Sequence, residues 1–244
     1  MSHRLRWALL PVLCTTATLA LTACGPTTGT DSGSGDAASA GSSAASSAPA
    51  AADRLLTGTQ LKALLLPGSA VPATLKADAS GSRDTGGVLA GPSAAPVSTA
   101  KACASLNSSG WISAAGIGGA SFAQSDFADT PGNMFAQEID DFPGSDAKTV
   151  MAHLKQVFAD CGSFKVEQDG TTYTAKLVHK TLSGLGDEAV QGVVTSSSWD
   201  GGETLIAVRV GRHVVTTLYN DQKSTGSADV ALTKSLVARV AAAH

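Results

Sequence analysis

The sequence carries little positive charge and lacks several common enzyme motifs. Its 244 residues include 17 Lys and Arg against 20 Asp and Glu. The basic residues form no stripe that would follow a phosphate backbone, so we expect no nucleic-acid partner. The patterns G-x-S-x-G, C-x-x-C and H-E-x-x-H are also missing. Their absence argues against a nucleophile-elbow hydrolase and against the common zinc sites.

One glycine pattern, Gly184-x-Gly186-x-x-Ala189, matches the spacing of a dinucleotide-binding fingerprint. That fingerprint needs a helix directly after the glycines. The residues that follow here predict a strand, so we interpret the glycines as a tight turn. The histidines are scattered along the chain and form no metal-binding spacing. We therefore expect no catalytic residue, no metal and no cofactor.

The N-terminal residues have the features of an export signal. Two arginines precede residues 7–20, an uncharged and mostly apolar run that is too short to span a membrane. The run leads into Leu21-Thr22-Ala23-Cys24, which resembles the bacterial lipobox. In proteins with a lipobox, the cysteine sulfur receives a diacylglycerol and becomes the first residue after cleavage. The resemblance implies a lipoprotein signal peptide at 1–23 and lipidation of Cys24, with an ordinary secretory signal as the alternative.

Residues 24–52 are predicted to be a lipidated cysteine followed by a disordered tether. After Cys24 the segment is almost entirely Gly, Ser, Ala, Thr and Pro, and it contains no Leu, Ile, Val or aromatic residue. As a flexible coil its 28 residues would span on the order of 30 Å. Two or more acyl chains anchor a protein stably. We expect attachment to the extracytoplasmic face of the cell membrane.

Residues 53–244 have the length of one domain with a substantial core. Removal of the signal peptide lowers Lys and Arg from 17 to 15 against 20 acids, a formal charge of about −5. This domain contains no second long hydrophobic run. We expect it to fold as a monomer.

The four cysteines divide into two pairs. Cys14 leaves with the signal peptide and Cys24 is acylated, so Cys103 and Cys161 remain in the exported domain, where disulfides persist. A bridge between them would close a loop of nearly sixty residues and stabilise the fold by about 4 kcal/mol in the chain-entropy model. Two free buried thiols are the alternative.

Helical signals appear at four places in this domain. Thr57-x-x-Gln60 resembles a capping box, and the following leucines have helical spacing until a proline. A second helix is predicted over 98–107. The clearest amphipathic pattern runs from Val150 to Cys161, and Ser227 is a candidate cap for a C-terminal helix.

Strand signals fill most of the remaining sequence. Residues 121–127 and 134–142 flank the turn sequence Thr-Pro-Gly-Asn and predict a hairpin. Alternating runs after residue 163 predict further strands joined by glycine-containing turns. Residues 78–96, rich in Gly, Ser, Ala and Pro, are predicted to be a long loop. Together these signals predict an α+β domain with an antiparallel sheet and packed helices.

The order of these elements resembles the PknH-like extracellular sensor domain, found in a mycobacterial receptor kinase and in many actinobacterial lipoproteins. The resemblance rests on Cys103, Trp111, the helix ending in Cys161-Gly-Ser-Phe164, the Leu185-Gly-Asp-Glu188 turn and the Val208-Arg-Val-Gly211 segment. It implies an α+β fold with a cleft proposed to bind an unidentified ligand, and no known catalysis. The kinase's own domain has two disulfides, whereas this chain has cysteines for one.

Five residues are candidates for a binding site. Trp111 and Trp199 offer flat surfaces that would suit a cleft, although a core position is the alternative for each. Glu138, Asp140 and Asp141 lie close together in the sequence, and alternation along a strand puts Glu138 and Asp140 on one face. We expect that face to be solvated, with paired acids or a cation site as the alternative.

The hypothesis for function is a lipid-anchored, non-enzymatic envelope protein. Its sensor-like domain would bind an unknown small molecule or protein. A carrier of lipid or another apolar ligand and a hydrolase are the alternatives.

Overall fold

A computed structural model describes residues 54–91, 94–168 and 170–243. The predicted signal peptide, Cys24 and the tether lie outside the described residues. Their assignment therefore stays a prediction.

The described residues build one eight-stranded antiparallel sheet with the order β1-β2-β3-β8-β7-β6-β5-β4. Strands β4 to β8 form a continuous meander, and β3 joins it by pairing with β8. In chain order the strands are β1 Lys76–Asp84, β2 Ser121–Ala128, β3 Met134–Asp141, β4 Ser163–Gln168, β5 Thr171–Thr181, β6 Glu188–Ser196, β7 Gly202–Val210 and β8 His213–Asp221.

Helices cover both faces of this sheet. The helices are α1 Gly58–Leu64, α2 Thr99–Ser105, α3 Asp146–Asp160 and α4 Asp229–Ala241, with short 3₁₀ helices at Gly68–Ala70 and Trp111–Ala115. α2, α3 and the second 3₁₀ helix pack on one face, whereas α1 and α4 pack on the other. In the part of the chain that the structure describes, no helix is long and apolar enough to cross a membrane.

Burial on both faces explains the composition of the central strands. Along β3, Phe135 and Ile139 point toward α1 and α4, whereas Ala136 points toward α3. Every residue of β3 after Met134 is buried, including its amide and carboxyl side chains. A strand covered on both sides leaves no solvated face, so its polar residues must find partners inside the protein or remain without them.

Most of the predicted elements are confirmed. Thr57 Oγ1 accepts a hydrogen bond from the Gln60 amide at 3.2 Å, and Gln60 Oε1 accepts one from the Thr57 amide at 2.9 Å, which completes the capping box. The β2–β3 hairpin, α2 and α3 lie where the sequence patterns predict them. A strand rather than a helix follows Gly186, as expected for a turn. The domain is an α+β fold.

Two local predictions are wrong. Part of the predicted loop 78–96 belongs to β1, an edge strand whose polar side chains gave no hydrophobic signal. It is held by backbone pairing to β2, with an irregular register between Asp78 and Arg83. Ser227 does not cap α4, because the N-cap position is Ala228 and carries no side-chain cap.

The Cys103–Cys161 disulfide is present. Cys103 lies in α2, and Cys161 follows the last residue of α3. Their Cα atoms are 5.4 Å apart, within the usual range for a bridge. The bond joins two neighbouring helices on the same face of the sheet.

Candidate functional site

Two buried acids on β3 form the centre of the candidate site. Glu138 and Asp140 share one face of the strand, as predicted, but that face is not solvated, because their side chains are only 4% and 3% exposed. The expectation of a solvated face fails since α2, α3 and the 3₁₀ helix Trp111–Ala115 cover this side of the sheet. Glu138 Oε2 and Asp140 Oδ2 have no hydrogen-bond partner among the described residues. Such atoms are rare in folded proteins and call for an explanation.

Burial raises the pKa values of both acids. It raises the pKa of Glu138 to about 7, although the positive charge of Arg83 opposes the shift. Burial also raises the pKa of Asp140 well above its usual range, and the negative charge of Glu138 raises it further. The pair therefore holds a proton at neutral pH, since two adjacent carboxylates in a low dielectric repel each other.

Arg83 gives this acidic face a cation. Its Nε donates to Gln124 Oε1 at 3.1 Å, and its guanidinium carbon lies 5.5 Å from the centre of the Phe122 ring. Gln124 Nε2 donates in turn to Ser109 Oγ at 2.8 Å and to Asp126 Oδ1 at 3.0 Å. These contacts fix the arginine beside the acids without an ion pair to either of them within 4 Å in the described structure.

A cavity of about 550 Å³ opens over these groups. The sheet contributes Arg83, Phe122, Glu138 and Asp140 to its wall. The rest comes from the 3₁₀ helix and from glycine-rich loops, with apolar side chains such as Ile112. This volume falls within the range of about 300–1,000 Å³ that is typical of small-ligand sites.

A second, mostly apolar cleft of about 510 Å³ lies beside the first. Both are lined by Ala95, Val97, Gly116 and Ile117, so they lie on either side of a shared wall. Gly116 makes this wall possible because its φ is +72° and an added Cβ would lie 2.7 Å from the Ala95 carbonyl oxygen. The wall therefore depends on one left-handed glycine.

The structure separates the two candidate tryptophans. Trp111 is fully buried in the core, where it stacks on Phe158 with ring centres 5.5 Å apart and donates from Nε1 to the Thr217 carbonyl at 3.2 Å. Trp199 is partly buried and lines another pocket near the turn between β6 and β7. The two tryptophans are therefore not brought together in one cleft. Cys161, a member of the disulfide, lines the apolar cleft.

No family model matches the sequence, and no curated protein is significantly similar to it. Among solved structures, the extracellular domain of PknH from Mycobacterium tuberculosis matches with a TM-score of 0.55. The match covers 77% of this chain and 98% of that domain at 16% sequence identity. The chain has a PknH-like fold. At this identity the likeness shows the architecture and does not transfer individual residues.

Within the PknH-like fold, sequence reasoning missed Arg83 and the cavity. Arg83 lies in the segment that was predicted to be a loop, and its pairing with β2 is what brings it opposite Gln124. No local pattern indicates that pairing. Across the described ranges, no group of three or more His, Cys, Asp or Glu residues is arranged to hold a metal ion.

Proposed function

We propose that this protein is a non-enzymatic, ligand-binding lipoprotein of the cell envelope, with its PknH-like domain on the extracytoplasmic side. The observation that carries the proposal is the cavity over Glu138 and Asp140. Two buried carboxyl oxygens without partners line a space of small-ligand size. A ligand that donates hydrogen bonds to them would satisfy both.

The charges around the cavity favour a ligand with a positively charged or hydrogen-bond-donating group. An ammonium group near the acids would stabilise their ionised forms and displace the shared proton. Arg83, on the same wall, would bind an acceptor elsewhere on the ligand. A compact molecule with an amine at one end and an acceptor at the other fits this arrangement.

Location and signalling rest on the N-terminal sequence and on the fold. The lipobox-like residues before Cys24 support a lipid anchor, and the tether predicted from the sequence would let the domain reach beyond the membrane surface. The similar domain in PknH is extracellular. Because the proposed anchor is a lipid, a signal across the membrane would pass through a partner protein.

The apolar cleft supports a second candidate, a carrier of an apolar ligand. Ala94, Pro96 and Val157 line it together with the edge of the disulfide. Native mass spectrometry of the purified full chain separates the two functions. A copurifying lipid would favour the carrier, whereas a protein without lipid that binds an amine supports the ligand-binding domain.

Thermal unfolding tests the proposed site. The full chain is melted with a panel of amines, amino acids and amino sugars, together with lipids and cell-wall fragments. We expect an amine-bearing compound to raise the melting temperature. At a hundredfold excess over its Kd, the ligand would increase the free energy of unfolding by about 2.7 kcal/mol. Glu138→Gln should abolish the shift, and Glu167→Gln, at an exposed site on β4, should keep it. No shift with any amine contradicts this site, and multiple turnover of any compound contradicts a non-enzymatic role.

A further inference from the structure

A separate polar pocket lies at the end of the sheet near the β6–β7 turn. It has a volume of about 420 Å³ and is lined by residues from that turn, from β7 and from the end of β8. Trp199, Tyr173 and Met134 give it apolar surfaces, whereas Asn107 and Asn220 give it amide groups. None of these residues lines the cavity over the β3 acids.

Two buried polar atoms in this pocket's wall have no hydrogen-bond partner in the described structure. One is the donor Nε1 of Trp199, and the other is the acceptor Oε1 of Glu203. Glu203 is 2% exposed, and no donor or positive charge offsets its burial, which raises its pKa to about 8. Leaving these groups without partners costs free energy. A ligand that satisfies both would recover that cost.

The backbone of the β6–β7 turn lies very close to the backbone at the end of β8. A Cβ on Gly201 would lie only 1.8 Å from the carbonyl oxygen of Asp221, so only glycine fits there. The turn that carries Trp199 therefore runs close to the end of β8, where Gly202 pairs with Asp221. Glu203 lies on β7 and Trp199 in the turn that precedes it.

The charges of the pocket exclude an anionic ligand. Three acids line it, Asp200, Glu203 and Asp221, and no Lys, Arg or His is among its described lining residues. Asp221 is occupied by its own turn, where it accepts from the amides of Lys223 and Ser224. The two buried groups in this wall that lack partners are thus a carboxyl oxygen, which accepts hydrogen bonds, and an indole N–H, which donates one.

We infer that this pocket binds a neutral, hydroxyl-rich ligand, a monosaccharide or disaccharide, with Trp199 and Glu203 as its recognition residues. A hydroxyl group both donates and accepts hydrogen bonds, so neighbouring hydroxyls can accept from the indole N–H and pair with the carboxyl. The flat faces of Trp199 and Tyr173 would pack against the apolar side of a sugar ring. Amide side chains complete a polar rim.

Tryptophan fluorescence and ligand-observed NMR of the full chain test this inference. The probes are a panel of neutral monosaccharides and disaccharides, with sugar phosphates and simple amines for comparison. We expect at least one neutral sugar to give a saturable fluorescence change and a matching NMR signal. Trp199→Phe keeps the flat ring but removes the N–H, and it should abolish the fluorescence response and weaken binding in the NMR assay about tenfold.

Variants of the carboxyl distinguish recognition from folding. Glu203→Met should weaken sugar binding about tenfold while raising the melting temperature, because it removes a buried group without a partner. Glu203→Gln, which can still pair with hydroxyls, should retain binding, and Glu167→Gln serves as the surface control. The inference is overturned if no neutral sugar binds, if only amines or phosphates bind, or if Trp199→Phe binds sugars as well as the parent chain.

Discussion

Replacing Glu203 with Gln should stabilise the protein, and the gain should grow as the pH rises from about 5 to about 8. Burial raises the pKa of this carboxyl to about 8, against about 4.3 in an unfolded chain. Between these values the folded state holds a proton that the unfolded state has released. Stability must therefore fall as the pH rises through this window, and flatten above it.

The size of the effect follows from the two pKa values. Each pH unit inside the window costs up to about 1.4 kcal/mol, so the parent chain should lose up to about 3 kcal/mol between pH 5 and pH 7 through this group. Gln has nearly the same shape and does not ionise, so the variant avoids the loss. For a domain of this size the difference corresponds to about 6–12 °C in melting temperature at pH 7.

Denaturant unfolding of both chains at several pH values, at constant ionic strength, measures this difference. The stability of the variant should still fall as the pH rises, because burial also raises the pKa of Asp229 to about 8. The Glu167→Gln control changes an exposed carboxyl on β4 and should leave the pH profile almost unchanged. A Glu203→Gln gain that is equal at pH 5 and pH 7 would refute the reasoning.

Three further predictions concern the anchor, the disulfide and a turn. Cys24→Ala should leave an unlipidated precursor, and unchanged incorporation of labelled fatty acid would rule out the lipoprotein assignment. Intact mass after alkylation without reductant should show no free thiol at Cys103 or Cys161, whereas two alkylated thiols would contradict the bridge. Gly201→Ala should destabilise the fold by about 1–3 kcal/mol, because its Cβ would overlap the Asp221 carbonyl. An unchanged unfolding midpoint would show that the turn relaxes freely.

Local patterns predicted the elements with a clear period or cap. The Thr57–Gln60 capping box, the amphipathic α3 and the β2–β3 hairpin each depend on residues close in sequence, so the sequence contains their whole signal. β1 was missed because its stability comes from pairing with β2, about forty residues away, and not from apolar side chains.

The candidate site was predictable only in part. Strand alternation placed Glu138 and Asp140 on one face, but their burial depends on a helical layer contributed by distant segments. Arg83 was missed for another reason, because its position depends on the pairing of β1 with β2. Whether a polar side chain on a strand is solvated or buried is decided by what packs on the sheet, and a period of two carries no information about that.

The pairing of β3 with β8 has a consequence for how the chain folds. Ile139 pairs with Val215, which lies 76 positions later in the sequence, and pairings of such separation form slowly because a long loop must close first. Until the last strand arrives, β3 has an open hydrogen-bonding edge, with Phe135 and Ile139 on one of its faces. Such edges are sites of aggregation. The folding intermediate that ends at β7 would therefore be the species most in need of a chaperone.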